Sequence, residues 1–282
     1  MIDALLEVDA DPVRMQTNEG LFPIHLACQG DLVDPEHVVS SLLTSFKEGA
    51  TVAKANGFLA LHIAAKFSTK EVIDMVYKAN EAALTFVNGG YGTPMHQAVG
   101  GNKLANVEYL HSLNPTLINI KNSNGRTPFM FAANNCNYMM IRGLYDLNPL
   151  ALSVARNDGY LALHCLMKRS NTLTFDPLSD EAKSLRFLLK VYPQAASHLT
   201  NDGSTPYSLC DATRVYARRL LLLAAPTLDE DELHEMNYKA RRQLLFLTFA
   251  AVAGTGDPTL LCRLRQHRDA NMNVIRYISS FI

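Results

Sequence analysis

The sequence predicts an all-α solenoid of stacked helix–turn–helix repeats, with short β-turn fingers and a C-terminal helical cap. Three observations carry this. First, six segments align around a turn: NEGLFPIHLACQG (18–30), ANGFLALHIAAKF (55–67), GGYGTPMHQAVGG (89–101), SNGRTPFMFAANN (123–135), NDGYLALHCLMKR (157–169) and NDGSTPYSLCDAT (201–213). With Phe22, Leu59, Thr93, Thr127, Leu161 and Thr205 as the anchor, successive copies lie 37, 34, 34, 34 and 44 residues apart. Self-similarity at such a period marks a stack of supersecondary units. Second, another motif repeats in step upstream of each turn: DADPVRM (9–15), FKEGATV (46–52), KANEAAL (78–84), SLNPTLI (112–118), DLNPLAL (146–152) and KVYPQAA (190–196). Third, the stretch after each short first helix has apolar residues at a spacing near 3.6, as in KEVIDMVY (70–77) and YMMIRGLY (138–145).

Each copy supplies its own punctuation. Turns are expected near 18–22, 55–59, 88–93, 122–127, 156–161 and 200–205, with Gly20, Gly57, Gly125, Gly159 and Gly203 where φ is positive. Pro23, Pro94, Pro128 and Pro206 stand where a first helix begins, a position that tolerates a missing N–H. Small residues follow (Ala27/Cys28, Ala64/Ala65, Ala98/Val99, Ala132/Ala133) and let neighbours stack closely. Longer second helices are expected over 36–43, 70–77, 105–113, 138–145, 182–192 and 215–224. No single pair buries its apolar face alone, so the core must run continuously from copy to copy. This places a repeat array at 1–225, with an inserted loop at 170–181 accounting for the 44-residue interval, and a non-repeating helical segment at 226–282.

Composition narrows the function. Formal net charge is −1, so no global field points to nucleic acid or an anionic membrane. Five cysteines (28, 136, 165, 210 and 262), an odd number without C-x-x-C spacing, argue against a disulfide framework or zinc knuckle and for a reducing compartment. The N-terminal stretch is acidic and lacks the pattern of a secretory signal. The longest apolar run, LLFLTFAAVAG (244–254), is about half the length needed to span a bilayer. The expected setting is intracellular, in cytoplasm or nucleus. IDALLEVDADPVR (2–14) reads as the second helix of a repeat whose first half is missing, either an incomplete pair or a sign of a longer protein.

The turn pattern, with NSNGRTPFMFAA and YGTPMHQAV as the nearest matches, resembles the Asp/Asn-x-Gly-x-Thr-Pro-Leu-His-x-Ala signature of ankyrin repeats over roughly residues 1–225. The Phe/Leu-Pro/Ala-Leu/Ile-His variant with an upstream YP or NP is similar to a divergent branch of that family. The resemblance implies that His25, His62, His96 and His164 are frame residues that tie adjacent loops, so the His-Cys pair at 164–165 is no catalytic dyad. Histidines one repeat apart sit about 10 Å from each other, far beyond the ~2 Å of a shared zinc site. Thr is missing at Phe22, Leu59 and Leu161, which predicts a weaker tie there. Met130 and Ser208 replace the His, which predicts stacking by apolar contact instead. NGGYGTP (88–94) has neither the spacing of a phosphate loop nor its Lys.

What the resemblance implies for function is a non-enzymatic, monomeric protein-interaction module that binds a protein partner on its concave surface, without cofactor, metal or nucleic acid. Candidate contacts follow the turn glycine (Leu21, Phe58, Arg126, Tyr160, Ser204) or end the first helix (Gln29, Lys66, Phe67, Asn134, Asn135, Lys168, Arg169). Leu21, Phe58 and Tyr160 can equally pack between fingers. ANMNVIRYISSFI (270–282) resembles the docking helices of F-box proteins, which gives an alternative: a substrate adaptor of a ubiquitin-ligase complex. An enzyme or nucleic-acid-binding protein with an unrecognised site is the third reading. The basic clusters KARR (239–242) and CRLRQHR (262–268) lie near DEDELHE (229–235) and read as a charged helix face.

Overall fold

The computed structural model of the chain describes residues 11–30, 32–168, 179–211 and 214–224. These belong to the first of two units, Met1–Ala225; the second is Pro226–Ile282. Residues 1–10, Arg169, most of the insertion at 170–181 and the tail with its docking segment lie outside the described residues.

Twelve α-helices form six pairs among the described residues. They are α1 Pro23–Ala27 with α2 Pro35–Ser45, α3 Ala60–Phe67 with α4 Lys70–Ala79, and α5 Pro94–Gly100 with α6 Leu104–Leu113. They continue with α7 Pro128–Asn134 and α8 Tyr138–Leu147, α9 Ala162–Met167 and α10 Asp180–Val191, and α11 Pro206–Leu209 and α12 Val215–Ala224. Among the described residues there is no strand, only an isolated bridge between Asn88 and Gly92 in the third finger. The first helices of the pairs pack neighbour to neighbour as one layer and the second helices as another.

Local chemistry explains both layers. Every inner helix is entered through one extended residue, whether it is Thr93 (φ −80°), Thr127 (φ −83°) or Leu161 (φ −93°). Four of the outer helices start on side-chain caps: Asp34, Thr69, Asn137 and Ser179 accept from the N–H of His37, Val72, Met140 and Ala182. The upstream motif that recurs with the turn is a 3₁₀ turn after each outer helix. Pro115, Pro149 and Pro193 open it, and Asn114 and Asn148 cap it at Thr116 N and Leu150 N, both 3.0 Å. Each such turn drops apolar side chains into the core: Leu117 and Ile118, Ala151 and Leu152, Ala195 and Ala196.

The inner layer is close-packed through small residues. Ala64, Ala65, Ala98, Ala132 and Ala133 are fully buried. At the end of α5 the approach is closest: a Cβ on Gly101 would stand 2.3 Å from the Lys66 carbonyl oxygen of the preceding repeat. The carbonyls at inner-helix C-termini, which have no intrahelical partner, are satisfied from the following repeat. Ser68 Oγ donates to Cys28 O (2.7 Å), Asn106 Nδ2 to Ala65 O and Ser68 O (3.0 Å each), and Arg214 Nη1 to Met167 O (2.9 Å). Arg214 also forms a buried ion pair with Glu181 at the start of α10, so one guanidinium joins α9, α10 and the approach to α12.

Two stability outcomes are expected. Gly101→Ala forces the third repeat off the second and costs about 1–3 kcal/mol in urea unfolding, as overpacking does. Arg214→Ala leaves a buried carboxylate and a buried carbonyl unsatisfied and costs roughly 3–5 kcal/mol, most of which Glu181→Met with Arg214→Met restores.

Candidate interaction surface

Each finger is a turn closed by a pair of backbone hydrogen bonds. Thr17 N donates to Leu21 O, Lys54 N to Phe58 O, Asn122 N to Arg126 O, Arg156 N to Tyr160 O and Thr200 N to Ser204 O, all within 2.8–3.0 Å. The return bond runs from Gly20, Gly57, Gly125, Gly159 and Gly203, which adopt φ between +72° and +85°. The third finger departs: Tyr91 occupies the aligned position, and the left-handed residues are Gly89 and Gly92.

Pro94, Pro128 and Pro206 are the first residues of α5, α7 and α11. His25, His62, His96 and His164 are completely buried. Nδ1 of His25, His96 and His164 accepts from the N–H of Phe22, Thr93 and Leu161, each at 3.1 Å. That leaves the ring proton on Nε2, and Nε2 reaches into the next finger: His62 to Phe86 O (3.1 Å), His96 to Arg126 O (2.9 Å), His164 to His198 O (3.0 Å). The backbone N–H tie at Phe22 and Leu161 is as short as at Thr93, but at Thr93 the hydroxyl also stands 3.0 Å from His96 Nδ1, a contact Phe22 and Leu161 lack, and His62 Nδ1, behind Leu59, is buried without a hydrogen-bond partner among the described residues; the tie is weaker without the Thr, as expected. At Ser208 apolar stacking is not what replaces the His. The Ser hydroxyl takes the same backbone N–H, from Thr205 at 2.9 Å, while Thr205 Oγ1 accepts from Ser208 N at 3.1 Å. Met130 does substitute an apolar, buried side chain.

Of the candidate contacts, Leu21 and Tyr160 are corrected: both are buried, at 9% and 5% exposure, packed between fingers because a large apolar side chain after the glycine has a neighbouring turn to lie on. Phe58 is half-buried, with its ring 4.9 Å from Tyr91 and edge-on to His62 at 5.8 Å. Gln29, Lys66, Arg126, Asn134 and Ser204 are half-buried; Phe67, Asn135 and Lys168 are exposed. Two surface residues escaped the sequence reading: Tyr91, 55% exposed in the irregular finger, and Leu26, 46% exposed on α1. Neither stands at an aligned contact position, so only the three-dimensional stack reveals them.

Several basic side chains on this face rest on aromatic rings. Lys54 Nζ lies 5.4 Å from the Phe58 centroid and Lys66 Nζ 4.9 Å from that of Phe67. Tyr160 is flanked by Arg156 at 4.7 Å and Lys168 at 4.8 Å, and its hydroxyl stands 3.2 Å from Lys168 Nζ. The thiols of Cys28, Cys165 and Cys210 are buried and unreactive: burial pushes Cys28 up to about 12 and Cys210 up to about 11, and raises Cys165. Among the described residues no cluster of His, Cys, Asp or Glu has the makings of a metal site, and no helix is long and apolar enough to cross a membrane.

Paired helices, turn fingers and the imidazole ties recur together in this chain, and solved structures share its fold. The chain is similar to the ankyrin repeat domain of Bcl-3, a member of the IkappaB family, with TM-score 0.56 and 18% identity over 78% of this chain and 90% of that one. This is the ankyrin-repeat fold. A second ankyrin-like match is a chain from the structure of the Bd0816 predatory endopeptidase from Bdellovibrio bacteriovorus in complex with the immunity protein Bd3460, with TM-score 0.54 and 20% identity over 74% of this chain and 98% of that one. No family model and no curated protein matches the sequence.

The ankyrin frame carries a pH signature. Burial lowers His25, His62, His96 and His164 from 6.5 to about 4. Their neutral form is favoured in the fold, so their contribution is complete above about pH 6.5 and is lost as the pH falls toward 4. Urea midpoints are expected to hold steady from pH 8 to 7 and to drop below pH 6.5, by on the order of 2–3 kcal/mol per imidazole by pH 4. His96→Asn, measured in parallel, is expected to flatten that part of the profile.

Proposed function

We propose that the chain is a non-enzymatic protein-interaction module that takes its partner on the concave, finger-bearing face of the ankyrin array. The observation that supports this is the side-chain set on the fingers and inner helices: Leu26, Phe67 and Tyr91 are large apolar groups with 46–55% exposure, in the same layer as Gln29, Lys66, Arg126, Asn134, Asn135, Lys168 and Ser204. Aromatic and basic anchors on a rigid support are what protein interfaces use. The groups that would make an enzyme are committed elsewhere. The imidazoles are neutral and bonded into the frame, and the buried thiols are held protonated.

The test is capture of a protein from lysate by the intact chain and by two variants of equal helicity. Phe67→Ala with Tyr91→Ala is expected to lose the captured protein. Met139→Ala with Leu150→Ala, which removes exposed groups from the outer layer (61% and 76% exposed), is expected to keep it. The reverse pattern moves the site to the outer helices and overturns the proposal.

A further inference from the structure

The two layers differ in charge. From the fingers to the inner-helix C-caps of repeats two to five (54–68, 86–101, 120–135 and 154–168), the chain carries Lys54, Lys66, Lys121, Arg126, Arg156 and Lys168 against a single carboxylate, Asp158. The outer helices of the same repeats, α4, α6, α8 and α10, carry six basic and six acidic side chains. The bias belongs to these repeats, since the corresponding stretches of repeats one and six (17–28 and 200–211) carry Glu19, Asp202 and Asp211 and no Lys or Arg.

The bias peaks where the fourth and fifth repeats meet. Among the described residues, backbone hydrogen bonds link fingers one and two (Ala55 N to Glu19 O), three and four (Ser123 N to Gly89 O), and five and six (Asn201 N to Asp158 O). Fingers two and three are joined by His62 and by Asn88 Nδ2 donating to Asn56 O. Between fingers four and five neither kind of tie is found among the described residues. Met130 stands where the His would be, and the polar link among the described residues is the long 3.4 Å bond from Lys121 Nζ to Asn157 Oδ1. Cations fill the gap instead. Lys121 reaches across to Asn157, a Cβ on Gly125 beside Arg126 would meet Arg156 Cγ at 2.7 Å, and Arg156 and Lys168 flank the Tyr160 ring. Arg156 is spoken for by Asp158. Lys121, Arg126 and Lys168 have no carboxylate partner among the described residues, and the Nε of Arg126 is buried without a hydrogen-bond partner among them.

We propose that this junction selects an acidic polypeptide: an extended segment whose carboxylates meet Lys121, Arg126 and Lys168 while its apolar side chains lie against Phe67 and Tyr91. The inference rests on the concave-face reading and adds the chemistry of the partner. The cations are preorganised for it, since Lys66 and Lys168 sit on aromatic rings and lose less freedom on pairing. Arg126 offers a planar fork that fits a carboxylate. A nucleic acid fits less well. Asp158 sits inside the cluster and opposes a continuous phosphate track, and the half-buried Lys121 and Arg126 are recessed, within reach of flexible side chains more than of a stiff backbone.

Selection of random linear peptides displayed on phage against the intact chain tests this. The enriched peptides are expected to be net acidic, to bind more weakly as salt rises, and to lose about tenfold or more in affinity to Lys121→Glu with Arg126→Glu, and to Lys168→Glu. Lys70→Glu with Lys78→Glu on the outer layer is expected to leave affinity unchanged. The charge-neutral pair Lys121→Gln with Arg126→Gln, checked by circular dichroism, separates lost charge from lost fold and is expected to weaken binding as well. Neutral or basic peptides that still depend on Phe67 and Tyr91 overturn the charge inference and leave the concave-face reading standing. Peptides indifferent to Phe67, Tyr91 and the cations overturn both. Recovery of no peptide, or tighter binding of a single-stranded or duplex oligonucleotide of matched length, overturns the acidic-polypeptide assignment.

Discussion

The array depends on a buried neutral imidazole that belongs to two repeats at once. Its Nδ1 takes the N–H at the start of its own inner helix, and its Nε2 proton goes to a carbonyl of the next finger, as in His96 between Thr93 N and Arg126 O. Apolar burial supplies most of the driving force for stacking but has no direction. It would tolerate neighbouring pairs sliding past each other. A hydrogen bond of 2.9–3.1 Å to one particular carbonyl does not, and breaking it leaves a buried acceptor unsatisfied at a cost of about 1–3 kcal/mol. The imidazole thereby sets the register that the alanines of the inner layer only permit.

A second set of ties works at the opposite end of the inner helices, where Ser68, Asn106 and Arg214 close off carbonyls of the preceding repeat. Together the two sets hold α3 and α9 at both ends from outside their own repeats, while α1 has the C-terminal tie and α5 the imidazole. The fourth finger lacks the imidazole, since Met130 gives it up and Thr127 retains its local cap on Met130 N at 3.3 Å. The fifth repeat is still held by apolar packing of α7 against α9. What changes is the polar composition of the gap, which passes from uncharged ties to guanidinium and ammonium groups.

The six-pair architecture was legible because each copy repeats its own start and stop signals: a positive-φ glycine, a proline at the first helical position and a small-residue run. Helix limits followed to within a few residues, with α10 starting at Asp180, inside the stretch expected to be loop up to 181, because Ser179 caps it. The less legible features share a physical cause. Whether Tyr160 packs inward while Tyr91 stands out depends on which neighbouring turn lies above it, and no single repeat contains that information. The caps of Asn106 and Arg214 on carbonyls 41 and 47 residues upstream are invisible to any periodicity, since neither residue recurs at that place in other copies. The part of the tie that survives at Leu161 was hidden because the Thr of the pattern draws attention to the hydroxyl, whereas the backbone N–H bonds the imidazole with or without it.

The contrast between the layers follows from how each holds its charges. On the outer helices cations find carboxylates one turn away, as Lys78 does with Asp74 at 2.7 Å and Lys183 with Asp180 at 3.0 Å. Such exposed pairs stabilise by well under about 1 kcal/mol each and mainly keep the surface neutral. On the inner face the cations rest on rings: Lys54 on Phe58, Lys66 on Phe67, Lys168 on Tyr160. A ring steadies the side chain without neutralising it, so the full charge remains to be answered from outside. The arrangement therefore gives up local pairing on the one face whose side chains are held most rigidly, and that is the condition under which charge contributes to choosing a partner more than to holding the fold.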